Sequence, residues 1–305
     1  MSSAKQPVQF RPFIHTEHAY QRLRICKRCG QFTALWEDKC TSCGRNALVP
    51  VEQYAHHRAK LYFRKDLAFG IVLLIAAVFF GHSTQQMLLC GIVGALLLLP
   101  LVFLQQRIRS YEQRRQLIRL FRGRIEQIKE GLNINHKNAV ALRQLSERVS
   151  YEMLREIAAL IHNDRIRLQQ VALLQAFVLR KDMELTLDPL LIKSFEPLMV
   201  RYIGEIARLN RELIKDRTFR YVTFYERRIL EMAGGEDILV RVASAAVRKK
   251  RYVVTHSGFI SRYVRKLPKE RVQRLYHIIQ ANPYEPFGDL ADEVKIVYLM
   301  EQYKN

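Results

Sequence analysis

Residues 67–104 read LAFGIVLLIAAVFFG-HSTQQ-MLLCGIVGALLLLPLVFL. Neither Leu67–Gly81 nor Met87–Leu104 contains a charged side chain, and the two runs are joined by the short polar turn His82-Ser83-Thr84-Gln85-Gln86. A helix needs roughly 20 apolar residues to cross a bilayer. The second run is near that length. The first reaches it if Leu61, Tyr62 and Phe63 extend it while Arg64 and Lys65 reach back to the interface. Amphipathic helices of globular proteins carry a polar face, and these runs have none. The expectation is a transmembrane hairpin over residues 67–104, with helices at about 64–82 and 87–104. Gly91 and Gly94 would let the two helices approach closely.

Working outward, both flanks of the apolar block are basic. Lys60, Arg64 and Lys65 precede it, and Arg107, Arg109, Arg114 and Arg115 follow it. The turn has neither Lys nor Arg, so the positive-inside rule predicts both termini in the cytosol. The whole chain of 305 residues carries a formal net charge of +21. Such an excess favours polyanionic partners: phospholipid head groups, nucleic acid or acidic proteins. The four arginines after the second run are candidate contacts to anionic lipid head groups.

On the N-terminal side, residues 1–23 are polar and mixed, and form an expected extended tail. Residues 24–46 contain Cys26-Lys27-Arg28-Cys29-Gly30 and Cys40-Thr41-Ser42-Cys43-Gly44, with ten residues between Cys29 and Cys40. Two residues between cysteines let both thiolates of a pair point at one metal. A glycine after each pair supplies the positive φ of a tight turn. Four thiolates around zinc give a closed, structural site with no open position for water. Cys26, Cys29, Cys40 and Cys43 are therefore the expected ligands of one structural zinc ion, with Phe32 and Trp36 packed across it. Some twenty residues bury too little to fold alone, so the metal must supply much of the fold. The fifth cysteine, Cys90, reads as a small apolar residue of the second run. The cysteine usage suits a reduced compartment. Residues 47–66 read as a juxtamembrane linker.

The paired CxxCG knuckles of residues 24–46 resemble the short zinc ribbon at the N-terminus of many bacterial membrane and regulatory proteins. Lys27 and Thr41 stand where proline often follows the first cysteine of each pair. The resemblance implies ligand roles for the same four cysteines and a bacterial cytoplasmic membrane as the location. It also implies a module that binds a protein partner or acts as a spacer, some ribbons binding nucleic acid.

On the C-terminal side, residues 105–305 form an expected all-helical cytosolic domain, a bundle or short solenoid. Ile118, Phe121, Ile125, Ile128 and Leu132 recur at helical spacing, and that helix is expected to stop near Asn133-Ile134-Asn135. Further helices are expected to Ile161 and over 165–180, 190–214, 218–232, 236–251, 255–267, 269–281 and 289–303, with a break at Gly234-Gly235. The fold class is thus mainly α: a small zinc ribbon, a two-helix transmembrane hairpin and a helical domain.

Residues 241–271 hold a second basic concentration, including Arg248, Lys249, Lys250 and Arg251, against Glu270 alone. Tyr252, Phe259 and Tyr263 interleave, so this segment is a candidate anionic-surface contact, equally for nucleic-acid phosphates, a membrane or an acidic partner. There is no Walker loop, GxSxG or HExxH pattern, and His256-Ser257-Gly258 reads as a helix cap or turn. The expected function is a non-enzymatic integral membrane protein whose ribbon and helical domain dock a protein partner. The alternative is a membrane-tethered nucleic-acid-binding regulator using residues 241–271.

Overall fold

The computed structural model describes residues 5–80 and 84–302, the side chains of 84, 90, 95, 97–102, 104–109 and 301 lying outside the description. The chain is mainly helical with a few short strands. It divides into two compact units. One comprises Ile14–Gln144 and Ala159–Ile161; the other comprises Met1–Phe13, Leu145–Ala158 and His162–Asn305.

The chain opens with β1 (Gln6–Pro7), part of the second unit. The first unit begins with a three-stranded antiparallel sheet of β2 (Arg24–Cys26), β3 (Phe32–Thr33) and β4 (Leu48–Pro50), in the order β3-β2-β4. Arg24 faces Thr33 on one side and Pro50 on the other, and Cys26 faces Leu48. β4 runs directly into α1 (Val51–Phe79), where Pro50 precedes the first helical residue. α2 (Thr84–Gly123) returns alongside α1, and α3 (Ile125–Ala141) follows. The core of this unit is a junction of sheet and helices. Leu23, Ile25 and Phe32 pack with Val51 and Ala55 of α1, Leu117 and Leu120 of α2, and Ile128 and Leu132 of α3.

The expected transmembrane hairpin, and with it the integral membrane location and the cytosolic placement of both termini, is corrected here. Among the described residues no helix is long and apolar enough to cross a membrane. In α1 the charged side chains Arg64, Lys65 and Asp66 lie inside the helix, not before it, and Phe79 is its last residue. The uncharged stretch Leu67–Phe79 spans only about 20 Å at 1.5 Å per residue, against the roughly 30 Å of a hydrocarbon core. α2 runs unbroken from the apolar stretch into the arginine-rich one, ending at Gly123. Within its apolar stretch the described positions are Met87–Leu89, Gly91, Ile92–Gly94, Leu96 and Phe103; the side chains of Cys90 and much of Leu97–Leu104 lie outside the description. What the stretch does make is a closely packed pair of helices. A Cβ on Gly94 would overlap Leu74 of α1, whereas Gly91 has open space beside it. Phe69, Val72, Leu73, Ile75, Leu88 and Leu89 are exposed on the outward faces of the pair.

The second unit contains α4 (Glu147–Ala158), α5 (Asp164–Leu174), β5 (Phe177–Val178), α6 (Pro197–Leu209), α7 (Asp216–Phe224) and α8 (Glu226–Leu230). α9 (Gly235–Ala246), α10 (Lys250–Thr255), α11 (Ser257–Tyr263), α12 (Lys269–Gln280) and α13 (Leu290–Gln302) complete it. Successive helices pack pairwise: α4 on α5, α5 on α6, α6 on α9, α9 on α11, α11 on α13 and α12 on α13. Tyr151, Met153, Tyr202, Ile203, Phe219, Leu239, Val242 and Ile260 form the buried interior. β1 adds to it in parallel, with Gln6 beside Phe177 and Pro7 beside Val178.

Candidate metal centre

Each cysteine pair is shaped by its backbone. In the first, β2 delivers Cys26, whose carbonyl accepts from the Gly30 N–H at 2.9 Å while its own N–H donates to Gln31 O at 2.9 Å. In the second, Cys40 O accepts from Gly44 N–H at 2.8 Å and Cys40 N–H donates to Arg45 O at 3.0 Å. The same turn is built twice. In each the chain turns back at a glycine of positive φ, +78° at Gly30 and +69° at Gly44, a conformation that costs a residue with a Cβ. The turns bring Cys26 and Cys43 to 3.7 Å and Cys29 and Cys40 to 3.6 Å between sulfurs. All four Sγ atoms lie within 4.8 Å of one another, a set that could hold a metal ion. The thiols are free, with Cys26 and Cys40 buried and Cys29 exposed.

Electrostatics shows why the group suits a cation. Burial works against both thiolates of the first pair. At Cys26 the backbone N–H groups of Cys29 and Arg28, with hydrogen bonds from the neighbouring thiols, overcome it and lower the pKa to about 7. At Cys29 burial prevails over a hydrogen bond from Gln31, and the other three thiols add to it, raising the pKa to about 12. Burial and the neighbouring thiols thus resist a thiolate at Cys29, while the hydrogen bonds at Cys26 favour one. A bound dication removes that resistance by compensating the thiolates directly. Lys27, Arg28, Lys39 and Arg45 are exposed around the knuckles.

Behind the knuckles, the sheet is seated on α3 by two residues. Asn135 is 1% exposed. Its Oδ1 accepts from Thr33 Oγ1 at 3.0 Å and from the Ala34 N–H at 2.9 Å. Thr33 Oγ1 in turn accepts from the Leu35 N–H at 3.1 Å. One turn earlier, a Cβ on Gly131 would overlap the Phe32 carbonyl oxygen. Phe32 is fully buried and Trp36 half-buried. Sequence reasoning missed this seat because Asn133-Ile134-Asn135 reads as a helix stop, whereas α3 continues to Ala141. The usable signal was register: Ile128, Leu132, Asn135 and Ala139 lie on one buried stripe of α3.

The basic candidates fall in different settings. Arg107 and Arg109 have side chains outside the described residues. Arg114 is exposed, and Arg115 faces Glu112 at 3.7 Å. In the 241–271 segment, acids from other elements meet the cations. Arg248 faces Glu212 at 4.0 Å, Lys250 pairs with Glu285 at 2.8 Å, and Arg251 pairs with Asp216 at 3.4 Å. Arg262 grips Glu226 with both ends of its guanidinium, Arg265 pairs with Glu293 and Lys266 with Glu236. Lys249 lies over the Tyr252 ring at 6.0 Å. His256 stands between α10 and α11 as the cap of the latter, 3.5 Å from Asp216. Burial pushes its pKa down against the pull of that carboxylate.

No protein-family model matches the chain, and neither does any curated protein or solved structure.

Proposed function

We propose that the chain is a binding protein without catalytic chemistry, in which one zinc ion held by Cys26, Cys29, Cys40 and Cys43 fastens the three-stranded sheet to α3. The donor set is what supports zinc. Four thiolates suit a structural zinc site, and Zn–S bonds of about 2.3 Å in a tetrahedron separate the sulfurs by about 3.8 Å. The observed pairs at 3.7 and 3.6 Å already have that spacing. A set of four protein ligands leaves no coordination position for a substrate or an activated water.

The single observation that carries the fastening role is the direction in which the sheet packs. Its apolar side chains Ile25 and Phe32 are fully buried within its own unit. The polar seat is Asn135, also buried. The metal therefore stabilises an internal joint, and the binding role falls to other surfaces of the chain. Protein purified under reducing conditions should contain one zinc per chain by elemental analysis, lost in Cys40→Ser. Cobalt substituted for zinc should give the thiolate charge-transfer absorption of a tetrahedral site. Chelation should raise hydrogen exchange in residues 24–50 and in α3 together. Reduced protein that holds no metal, or a chelated protein with α3 exchange unchanged, would overturn the reading.

A further inference from the structure

The second unit has a groove of about 650 Å³ between residues 191–193 and α7 with its C-cap Tyr225, His256 also lining it. That volume is in the range of small-ligand sites, roughly 300–1,000 Å³. Its charge is one-sided. Lys193, Arg217 and Arg220 line it, and no carboxylate is among the described lining residues. Lys193 and Arg220 make no ion pair among the described residues. This contrasts with Lys250 and Arg251, which have the acidic partners given above.

The groove also carries rings. Thr218, Phe219 and Val222 turn the buried face of α7 inward, so Arg217, Arg220 and Phe224 emerge on the other face at helical spacing. Phe224 is 79% exposed. It stands edge-on to Tyr225, with centroids 4.8 Å apart and planes at 89°. Tyr225 in turn packs on Phe195 at 5.4 Å. An exposed phenylalanine in a row of guanidinium groups adds nothing to the hydrophobic core and forgoes roughly 1.5–3 kcal/mol of burial. The walls are nonetheless fixed. Tyr221 Oη donates to Ser194 O at 3.1 Å and accepts from the Glu196 N–H at 3.2 Å, while Tyr225 Oη donates to Lys193 O at 2.6 Å. Arg217 uses one N–H on Asp188 O at 3.1 Å, leaving its other donors for a ligand.

We propose that this groove binds single-stranded nucleic acid, a base stacking on Phe224 while phosphates meet Lys193, Arg217 and Arg220. Acidic peptides and lipid head groups would satisfy the cations, but a nucleic-acid strand joins each negative charge to a flat base able to stack on the exposed ring. Stacking platforms interleaved with basic groups are how sequence-tolerant single-strand binders work. Duplex DNA buries its base faces, so the ring would have no partner there. The proposal names the partner of the binding role above and rests on that role, but it uses residues far in sequence from the four cysteines.

The test is fluorescence anisotropy of full-length protein with a labelled ten-nucleotide oligo-U or oligo-dT. Affinity should fall with log salt at a slope of about −2, as expected for three phosphates on a single strand. Phe224→Ala should weaken binding about tenfold without lowering the melting temperature, since the ring is exposed. Arg220→Gln should make the salt slope shallower by about 0.7. Lys250→Gln, which removes a paired cation, should change neither. No binding at low salt would overturn the proposal. So would tighter binding to duplex DNA or to phosphatidylglycerol vesicles than to the oligonucleotide, or an affinity indifferent to Phe224. Zinc measured on the same samples separates the two readings: one zinc per chain with no oligonucleotide binding removes this proposal alone.

Discussion

At the scale of single residues, the joint between the sheet and α3 depends on the four cysteines on one side and on the buried acceptor Asn135 on the other. The four cysteines are readable because metal ligation demands a fixed residue type at a fixed spacing, and the glycines after each pair announce the turn. Asn135 was not readable, because the same side chain serves as a helix stop, a cap or a buried acceptor according to what lies opposite it, and its partners Thr33 and Ala34 are about a hundred residues away in sequence. Its role makes a sharp prediction. Asn135→Ala leaves two buried donors without an acceptor, at a cost of about 1–3 kcal/mol for an unsatisfied group. Asn135→Asp keeps the acceptor but places a charge at a site that is 1% exposed, and should also destabilise. Gly131→Ala should add to the damage, because its Cβ and the Phe32 carbonyl cannot share the space. Denaturant titration of the full chain, followed by the single Trp36, reads all three. Stability of Asn135→Ala equal to the parent would remove Asn135 from the joint.

At the scale of elements, helical periodicity was legible wherever a stripe faced a core. Boundaries failed where a local tie replaced the next turn. The stretch expected as one helix over 190–214 starts only at Pro197. Pro197 has no N–H and its ring would clash with the Lys193 carbonyl in a continued helix, so it takes the first helical position, and the Tyr221 and Tyr225 hydroxyls bind the non-helical backbone of Lys193–Glu196 before it. The apolar runs of 67–104 failed differently. Uncharged composition made them look like spans, but the charges of α1 lie within the helix and shorten its apolar length. The joint between α8 and α11 supports a pH prediction. Glu226 accepts from Arg262 Nε at 2.8 Å and Nη2 at 2.6 Å, and from Tyr263 Oη at 2.6 Å. Burial pushes the Glu226 pKa up, but these donors outweigh it, and the net shift is downward. A carboxylate with a lowered folded pKa contributes stability that is full above its unfolded pKa and is lost as pH falls through the folded value. Glu226→Gln should therefore cost about 1 kcal/mol at pH 7, discounted for the half-exposed Arg262. The gap to the parent should close as pH falls below about 4.5. A gap that is constant from pH 7 to pH 3 would show that the Glu226 charge plays no part.

At the scale of the whole molecule, the chain completes its second unit with its own beginning. Residues 5–13 look like a polar tail in sequence, because Val8, Phe10 and Phe13 are too isolated to form a period. In three dimensions they are structural. Gln6 and Pro7 pair with β5. Phe10 packs on Tyr151 at 4.7 Å and on Phe177 at 5.5 Å. The Arg11 N–H donates to Glu152 at 2.9 Å, and Arg155 donates to Arg11 O at 2.7 Å. The Phe13 N–H donates to Glu184 at 2.8 Å, and the Arg155 guanidinium lies 5.0 Å over the Phe13 ring. No window on either segment alone could reveal this, since each partner lies well over a hundred residues away. Such a segment should behave as part of the helical unit. Deleting residues 1–13 should expose the aromatic faces of Tyr151 and Phe177, leave Glu152 and Arg155 without their backbone partners, and lower stability by several kcal/mol. Phe10→Ala alone should cost about 1–2 kcal/mol, the worth of a partly buried ring. Hydrogen exchange locates the effect: protection should fall in α4 and around β5, while residues 24–50 keep theirs as long as the metal is bound. A deletion that left α4 unchanged would return these residues to the status of a tail.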